Sequence, residues 1–477
     1  MTAGSGHGLL IDFGSTYTKL RVVDLKAARV VGTGQGPSTV TTDVTVGFEA
    51  ALADLERHMG KLPPFKHRLA CSSAAGGLRM VTVGLVRELT AEAARQAALG
   101  AGAKLVGTFA YKLTEGDVQA IVALAPDILL LAGGTDGGND EVILHNAAKL
   151  AASPLACPVI VAGNRQAADA IGRLFRDAGR PVTLTENVMP EFNVLNIEPA
   201  RAAIRQTFID RIVHAKGIDR AAAMFDRVLM PTPAAVLDGA RLLADGHGDR
   251  PGLGPLLVVD VGGATTDVHS VAAGDPSRPG VIFHGLPEPY VKRTVEGDLG
   301  MRHNAHSIVE AAGLARIAAD AGVSLDEARA MADVVAADVD RLPTNDAERA
   351  FDRALARAAV KIAVARHCGT LSIVHTATGP VTMQRGKDLS EVKIVVGTGG
   401  PLAHGEIPAT ILEAACADAA DPFSLRPRQP RLAIDREYAL FACGLLASVE
   451  PDTALTMGLS CLHSVTKGKD HERITAA

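Results

Sequence analysis

Tryptophan is missing from this sequence of 477 residues, and aromatic residues make up only 3% of it. A core without large rings has to be built from Val, Leu, Ile and Ala, which favours layered α/β packing over an aromatic-rich β-sandwich. The six cysteines, Cys71, Cys157, Cys368, Cys416, Cys443 and Cys461, never form a Cys-x-x-Cys pair, so neither a zinc site nor a disulfide framework is indicated. They read as small buried hydrophobes. No basic run is present and the formal net charge is −5, so nucleic acid has no electrostatic footprint here. No stretch approaches the ~20 apolar residues of a membrane helix. The short polar start, Met1 to Gly8, has neither signal-peptide nor transit-peptide character. No membrane association and a cytoplasmic location are therefore expected. Also missing are the P-loop pattern and a G-x-G-x-x-G that follows a strand, which removes the classical P-loop and Rossmann readings.

What is present is a repeat. The length calls for two or three domains. Near the start, the run Leu9 to Asp12 is apolar up to its acid, Phe13-Gly14-Ser15-Thr16 follows as a turn, and Tyr17 to Asp24 returns as an alternating strand. This spacing predicts a β-hairpin. Gly14 lets the backbone come close to a ligand, consecutive N–H groups in the turn can point at phosphate oxygens, and Asp12 can hold a hydrated Mg²⁺. Taken alone, it also fits an ordinary hairpin turn. The same grammar recurs at Leu256 to Val268, where Asp260 ends a strand and Val261-Gly262-Gly263-Ala264-Thr265 form the turn. Two such hairpins offer N–H-rich turns to one polyphosphate and two carboxylates to one metal. The candidates are Gly14, Ser15, Thr16 and Lys19 on the first, and Gly262, Gly263, Ala264 and Thr265 on the second. Asp12 and Asp260 serve as catalytic and metal-binding groups, the metal contact running through water. A third element, Lys393 to Leu402, runs a buried strand into Gly397-Thr398-Gly399-Gly400-Pro401, a turn suited to a base and ribose. The look-alike Ile128 to Asn139 shows that strand-to-helix glycine turns are common.

These three elements resemble the two phosphate motifs and the adenosine motif of the actin/Hsp70/sugar-kinase superfamily. Pro231 to Gly239 and Ala439 to Ala447 resemble its two connecting helices. The resemblance implies duplicated, ribonuclease H-like lobes of α/β class with ATP and Mg²⁺ in the cleft between them. One departure stands out. The chaperone form of the first connecting motif has a Glu before its Pro-Thr, and this chain has Met230. Slow hydrolysis is the expectation. Over nearly its whole length the chain resembles the MutL family of glutamate (methylaspartate) mutase accessory proteins. That resemblance is carried by Cys71 to Met80, Leu131 to Gly138, Glu186 to Glu191 and Thr294 to Arg302. It implies an ATP-dependent reactivating chaperone whose partner is an adenosylcobalamin-dependent mutase, from which damaged cobalamin is released.

The expected organisation is a first lobe over 1–98, an inserted α/β domain over 99–190, and a return to the first lobe over 191–250. A second lobe follows over 251–462, then a frayed tail over 463–477. In the insertion, strand-like runs at Ala103–Tyr111, Asp127–Leu131, Pro158–Ala162 and Pro181–Leu184 alternate with helical stretches, which predicts a parallel sheet. Its glycine turn at Gly133–Gly138 fits either an anion site or a structural strand-to-helix turn. Leu325 to His367 reads as a helical subdomain. Lys292, Arg293, Arg302 and Lys361 are candidates to touch adenine or phosphate, or else lie on a solvated face, and His303 and His306 share a helix spacing without further ligands. A small-molecule kinase of the same fold and a nucleotide-switched scaffold or filament are the competing functions. Self-association is left open.

Overall fold

The computed structural model describes residues 6–14, 17–39, 43–73, 78–215, 226–377 and 379–465. The chain divides into two compact units. One comprises Met1–Asp238 with Phe441–Thr453, and the other Gly239–Leu440 with Ala454–Ala477. The division falls inside the helix Thr232–Asp245, upstream of the boundary expected at 250, and the segment after Leu440 returns to the first unit.

In the first unit, β1 (His7–Phe13), β2 (Tyr17–Asp24), β3 (Arg29–Pro37) and β4 (Phe65–Ser72) form one sheet with β10 (Arg227–Pro231), in the order β10-β4-β1-β2-β3. β1, β2 and β3 pair antiparallel, while β1, β4 and β10 are parallel. Leu10, Ile11, Phe13, Leu20, Val22 and Val23 are fully shielded, which fixes the register of the hairpin.

The inserted sheet holds β5 (Leu78–Gly84), β6 (Ala103–Ala110), β7 (Ile128–Leu131), β8 (Val159–Val161) and β9 (Val182–Leu184), all parallel, in the order β6-β5-β7-β8-β9. Helices at Thr90–Gly100, Glu115–Ala123, Glu141–Ala152 and Arg165–Asp177 connect them. The expected strands and helices are present. The sheet itself starts earlier than 99, because β5 is its central strand and the helix Thr90–Gly100 is its first crossover. Leu129, Leu131, Val159, Val161, Ile143 and Phe175 make its core.

In the second unit, a short pair β11 (Gly246–His247) and β12 (Arg250–Pro251) precedes the main sheet. That sheet contains β13 (Leu256–Val261), β14 (Thr266–Val271), β16 (Val291–Glu296), β19 (Ile394–Thr398), β20 (Arg431–Asp435) and β21 (Leu462–Ser464), in the order β16-β14-β13-β19-β20-β21. β13, β14 and β16 pair antiparallel, while β13, β19 and β20 are parallel. Apart from the added β21, this repeats the order and directions of the first sheet, so the lobes are duplicated as expected from the ribonuclease H-like class. β21 corrects the tail: residues 462–464 form a strand that pairs with β20, and the rest of the expected tail from 466 lies outside the described residues. A separate sheet joins β15 (Val281–Phe283), β18 (Gly379–Arg385) and β17 (Thr370–Thr376) in that order. The expected helical region contains helices Leu325–Ala337 and Asp346–His367. The second buries Phe351, Leu355, Ala359, Val360, Ala363 and Val364 at helical spacing against Leu257, Val259 and Val261.

Candidate functional site

Asp12, near the end of β1, is almost fully shielded (3% exposed). Its cross-strand partner is Lys19, whose Nζ stands 4.0 Å from Oδ2. On the other side lies parallel β4, and there Cys71 is the register partner. The Cys71 thiol approaches Asp12 Oδ1 at 3.7 Å, and Thr232 Oγ1 donates to the same oxygen at 2.5 Å. Thr232 also lies 3.5 Å from Cys71 Sγ. One hydroxyl proton cannot serve both, and the shorter contact to a charged acceptor takes it. Burial pushes the Asp12 carboxyl above the ordinary carboxylate range, with Lys19 and the Thr232 hydroxyl opposing. Burial and the charge of Asp12 push the Cys71 thiol well up, so it stays protonated and acts as a weak donor. At Gly14 a Cβ would sit 2.5 Å from the Tyr17 carbonyl, so the turn admits only glycine there. Ser15 and Thr16 lie outside the described residues, as do Ala74 to Gly77 of the Cys71–Met80 stretch.

The second hairpin is built differently. The N–H of Gly262 donates to the Thr265 carbonyl at 2.9 Å and closes the turn. The Gly262 carbonyl accepts from the N–H of Met301, and the Gly263 carbonyl from those of Arg302 and His303, while Asn304 Nδ2 donates to the Ala264 carbonyl. With its carbonyls taken up this way, the turn leaves the N–H groups of Gly263 and Ala264 with no backbone acceptor among the described residues. Asp260 faces Asp267 across the strands. Arg293 donates to Asp267 Oδ1 from Nε at 3.0 Å and from Nη2 at 2.7 Å, and Thr265 Oγ1 donates to Oδ2 at 3.1 Å.

Parallel β19 sets Thr398 beside Asp260. Gly399 then turns with φ 92°, and a Cβ there would stand 2.2 Å from the Val261 carbonyl and 2.8 Å from Asp260 Oδ1. Only glycine lets the two chains approach this closely. Pro401 opens the helix Gly400–Ala403. The second unit thus gathers Asp260, Gly262–Thr265 and Gly397–Pro401 at the ends of two adjacent parallel strands. The first unit gathers Asp12, Gly14 and Lys19.

Four cations expected near a nucleotide are otherwise engaged. Lys292 binds the His367 carbonyl and Glu288, Arg293 binds Asp267, Arg302 holds Asp352 with both nitrogens of its fork, and Lys361 pairs with Asp418. Lys292 and Arg293 are buried, so neither lies on a solvated face. His306 Nε2 stands 3.5 Å from Asp333 on the surface. Thr232 was missed as a partner of Asp12, although it lies within the first connecting motif. Cys71 was read only as an apolar thiol.

A family model described as MutL protein matches residues 8–462. The chain belongs to that family. The relative "Protein MutL" of Clostridium tetanomorphum is 48% identical over 448 residues, covering 94% of this chain and 97% of that one. Among solved structures, the xylulose kinase of Bifidobacterium adolescentis aligns over 99% of this chain and 97% of its own at 13% identity and a TM-score of 0.32. The ethanolamine utilization protein EutJ of Carboxydothermus hydrogenoformans aligns over 95% and 91% at 12% identity and a TM-score of 0.26. The strand order of the two duplicated sheets, rather than these distant alignments, carries the fold. Among the described residues no helix is long and apolar enough to cross a membrane.

Proposed function

We propose that this MutL-family chain is an ATP-dependent reactivating factor for an adenosylcobalamin-dependent mutase of the glutamate mutase type, promoting release of damaged cobalamin. The observation that carries the nucleotide part is the Asp-ended hairpin on equivalent strands of both units, Asp12 on β1 and Asp260 on β13. Gly14, Lys19 and Gly262–Thr265 would meet phosphate oxygens, Gly397–Pro401 would accept ribose and base, and Asp12 and Asp260 would hold a hydrated Mg²⁺. The residues fit that ligand. The close approach at Gly399 leaves a turn without side-chain bulk, and a buried carboxyl whose ionised form is disfavoured by burial gains from a cation. Bound ATP supplies phosphate charge and the free energy of its hydrolysis. The chain's own part is to bind, orient and respond, shifting conformation only by the difference in affinity of its states.

Hydrolysis by the isolated chain is expected to be slow. Met230, buried on β10 as the register partner of Cys71, occupies the place of the chaperone Glu. Loss of a positioned carboxylate removes typically ~10²-fold or more in water activation.

The inserted sheet is assigned to mutase recognition. Its two loops at Gly133–Asn139 and Asn187–Asn193 form one structure. Asn187 Nδ2 donates to the Gly134 carbonyl at 2.9 Å and to Asp136 Oδ1 at 3.0 Å, and the N–H of Asp136 donates to the Pro190 carbonyl at 2.9 Å. This ties both loops at the C-terminal end of a rigid sheet, a common place for binding. The deciding experiment adds the protein and Mg-ATP to an inactivated cobalamin mutase. Restored activity and copurification are expected, both lost when Gly137 and Gly138 are replaced by bulkier residues while ATP binding stays. If the mutase stays inactive with the wild-type chain, the reactivase reading is wrong. If the wild-type chain reactivates the mutase and the Gly137/Gly138 variant does so equally well, the recognition surface lies elsewhere.

A further inference from the structure

β17 lies at the edge of the three-stranded sheet of the second unit, paired with β18 from Thr370↔Arg385 to Thr376↔Gly379. In an antiparallel pair, alternate residues exchange both backbone bonds with the neighbour and those between them turn theirs outward. Two observations fix which are which. The N–H of Leu371 donates away from β18, to the Phe423 carbonyl at 2.8 Å. Pro380, which has no N–H, is the partner of His375, and so sits in a pair that exchanges no bonds. Leu371, Ile373 and His375 therefore turn their backbone groups to the open side. The neighbouring segment reaches only the first of these, through the Thr370–Ser424 bridge. Beyond it no other described strand pairs with the edge at Ile373 and His375. Residues 372–376 are exposed on both faces, with Ile373 at 51% and Val374 at 41%. The strand Thr-Leu-Ser-Ile-Val-His-Thr contains no Asp, Glu, Lys, Arg or Pro. Proteins blunt solitary edges with such residues, with bulges or with a covering element, and none of these is present past Leu371 among the described residues.

We infer that this edge is an interface between two copies of the chain, made by antiparallel pairing of β17 with itself about a twofold axis at Val374. The open groups are self-complementary. They sit one residue either side of Val374, so Ile373 exchanges two backbone bonds with His375 of the second copy, and His375 does the same with its Ile373. Val374 meets its own mate in the close, non-exchanging pair, at a Cα separation of about 4.5 Å. No like charges oppose each other at the axis. Phe423, 47% exposed beside Leu371, flanks the seam. Twofold closure consumes the edge and stops further growth.

The test uses the full chain. With mild oxidation, Val374→Cys should form a covalent dimer, since about 4.5 Å between Cα atoms suits a disulfide. Thr376→Cys, which faces Ser372 of the other copy rather than itself, should not cross-link above wild-type background. In sedimentation velocity the wild type should dimerise at micromolar concentrations, and Val374→Lys, which sets two ammonium groups face to face, should weaken the dimer tenfold or more. A wild type that stays monomeric, a dimer indifferent to Val374→Lys, or equal cross-linking of both cysteine variants would overturn the inference. Capture of β17 by a mutase strand in place of a second copy would do the same.

Discussion

The two hairpins share one grammar and differ in charge. On β2, Lys19 and Arg21 stand opposite Asp12 and Leu10; at the equivalent places on β14, Asp267 and His269 stand opposite Asp260 and Val258. The first hairpin therefore brings its own cations to its carboxylate. The second sets a carboxylate against a carboxylate and balances Asp267 with Arg293 from the next strand, β16. A repeat thus preserves backbone shape while its cross-strand neighbours diverge. On the proposed nucleotide reading, the first hairpin adds a cation for the phosphates and the second an extra carboxylate near the metal.

The sharpest way to break this comparison is to remove the balancing cations. Arg293→Met leaves Asp267 shielded without its guanidinium, and should cost ~3–5 kcal/mol in denaturant unfolding of the second unit. Lys19→Met, at a 4.0 Å and partly exposed contact, should cost no more than ~1 kcal/mol. Equal losses would mean that the two hairpins are electrostatically alike.

Ligand binding gives the next largest effect. Asp12→Ala and Asp260→Ala should each weaken Mg-ATP in calorimetry by tenfold or more, about 1.4 kcal/mol upward. If the charge difference matters, Asp260→Ala should abolish most of the Mg²⁺ dependence, and Lys19→Ala should lower affinity even without Mg²⁺. Unchanged affinity in both aspartate variants would remove the nucleotide from these turns.

His269 separates the hairpins by pH. Burial first, then the Arg293 charge, lowers its pKa from the ordinary 6.5 to about 3, and its Nδ1 has no hydrogen-bond partner among the described residues. Because the unfolded chain takes up the proton and the folded one does not, its effect on stability is absent above about pH 6.5. Below that it costs ~1.4 kcal/mol per pH unit, until the folded pKa is reached. At pH 5 the wild type should have lost ~2 kcal/mol more than His269→Gln. Its counterpart on the first hairpin is Arg21, paired with Leu10. Identical pH profiles for wild type and His269→Gln would exclude a neutral buried imidazole.

A small effect is also expected at Thr232→Val, where Asp12 loses a hydroxyl donor. About 1–1.5 kcal/mol of first-unit stability should go. The Asp12 pKa should rise further, so that Mg²⁺ binding fails at a higher pH than in wild type. A pH midpoint that does not move would show that the hydroxyl only packs there.

Both hairpins and the strand-to-helix glycine turn at Gly397–Pro401 were readable because each is local: an apolar run and a glycine turn lie within about a dozen residues. The strands of the inserted sheet were readable for the same reason. Its start was not. β5 follows β4 closely, and nothing in Leu78 to Gly84 says that it pairs with β6 and β7 rather than with the first sheet. The site partners were hidden by distance. Thr232 is separated from Asp12 by 220 residues, and Cys71 by 59. Composition likewise suggested a solvated face for Lys292 and Arg293, because a buried cation is recognisable only from the carboxylate or carbonyl that meets it. The strand at 462–464 was short and polar, and only pairing with β20 defines it.

The first unit also contains Phe441–Thr453, far along the chain. Glu450 accepts from Lys66 and His67, and Thr453 Oγ1 donates to the Leu25 carbonyl. During synthesis on the ribosome, the amino-terminal hairpin therefore emerges hundreds of codons before the segment that completes its unit. The nascent first unit has to wait, incomplete, while the whole of β11 to β20 is made. A chain stopped near Leu440 should leave a first unit without its final helix, open to proteases and reliant on cellular chaperones, even though Asp12, Gly14 and Lys19 have long been translated.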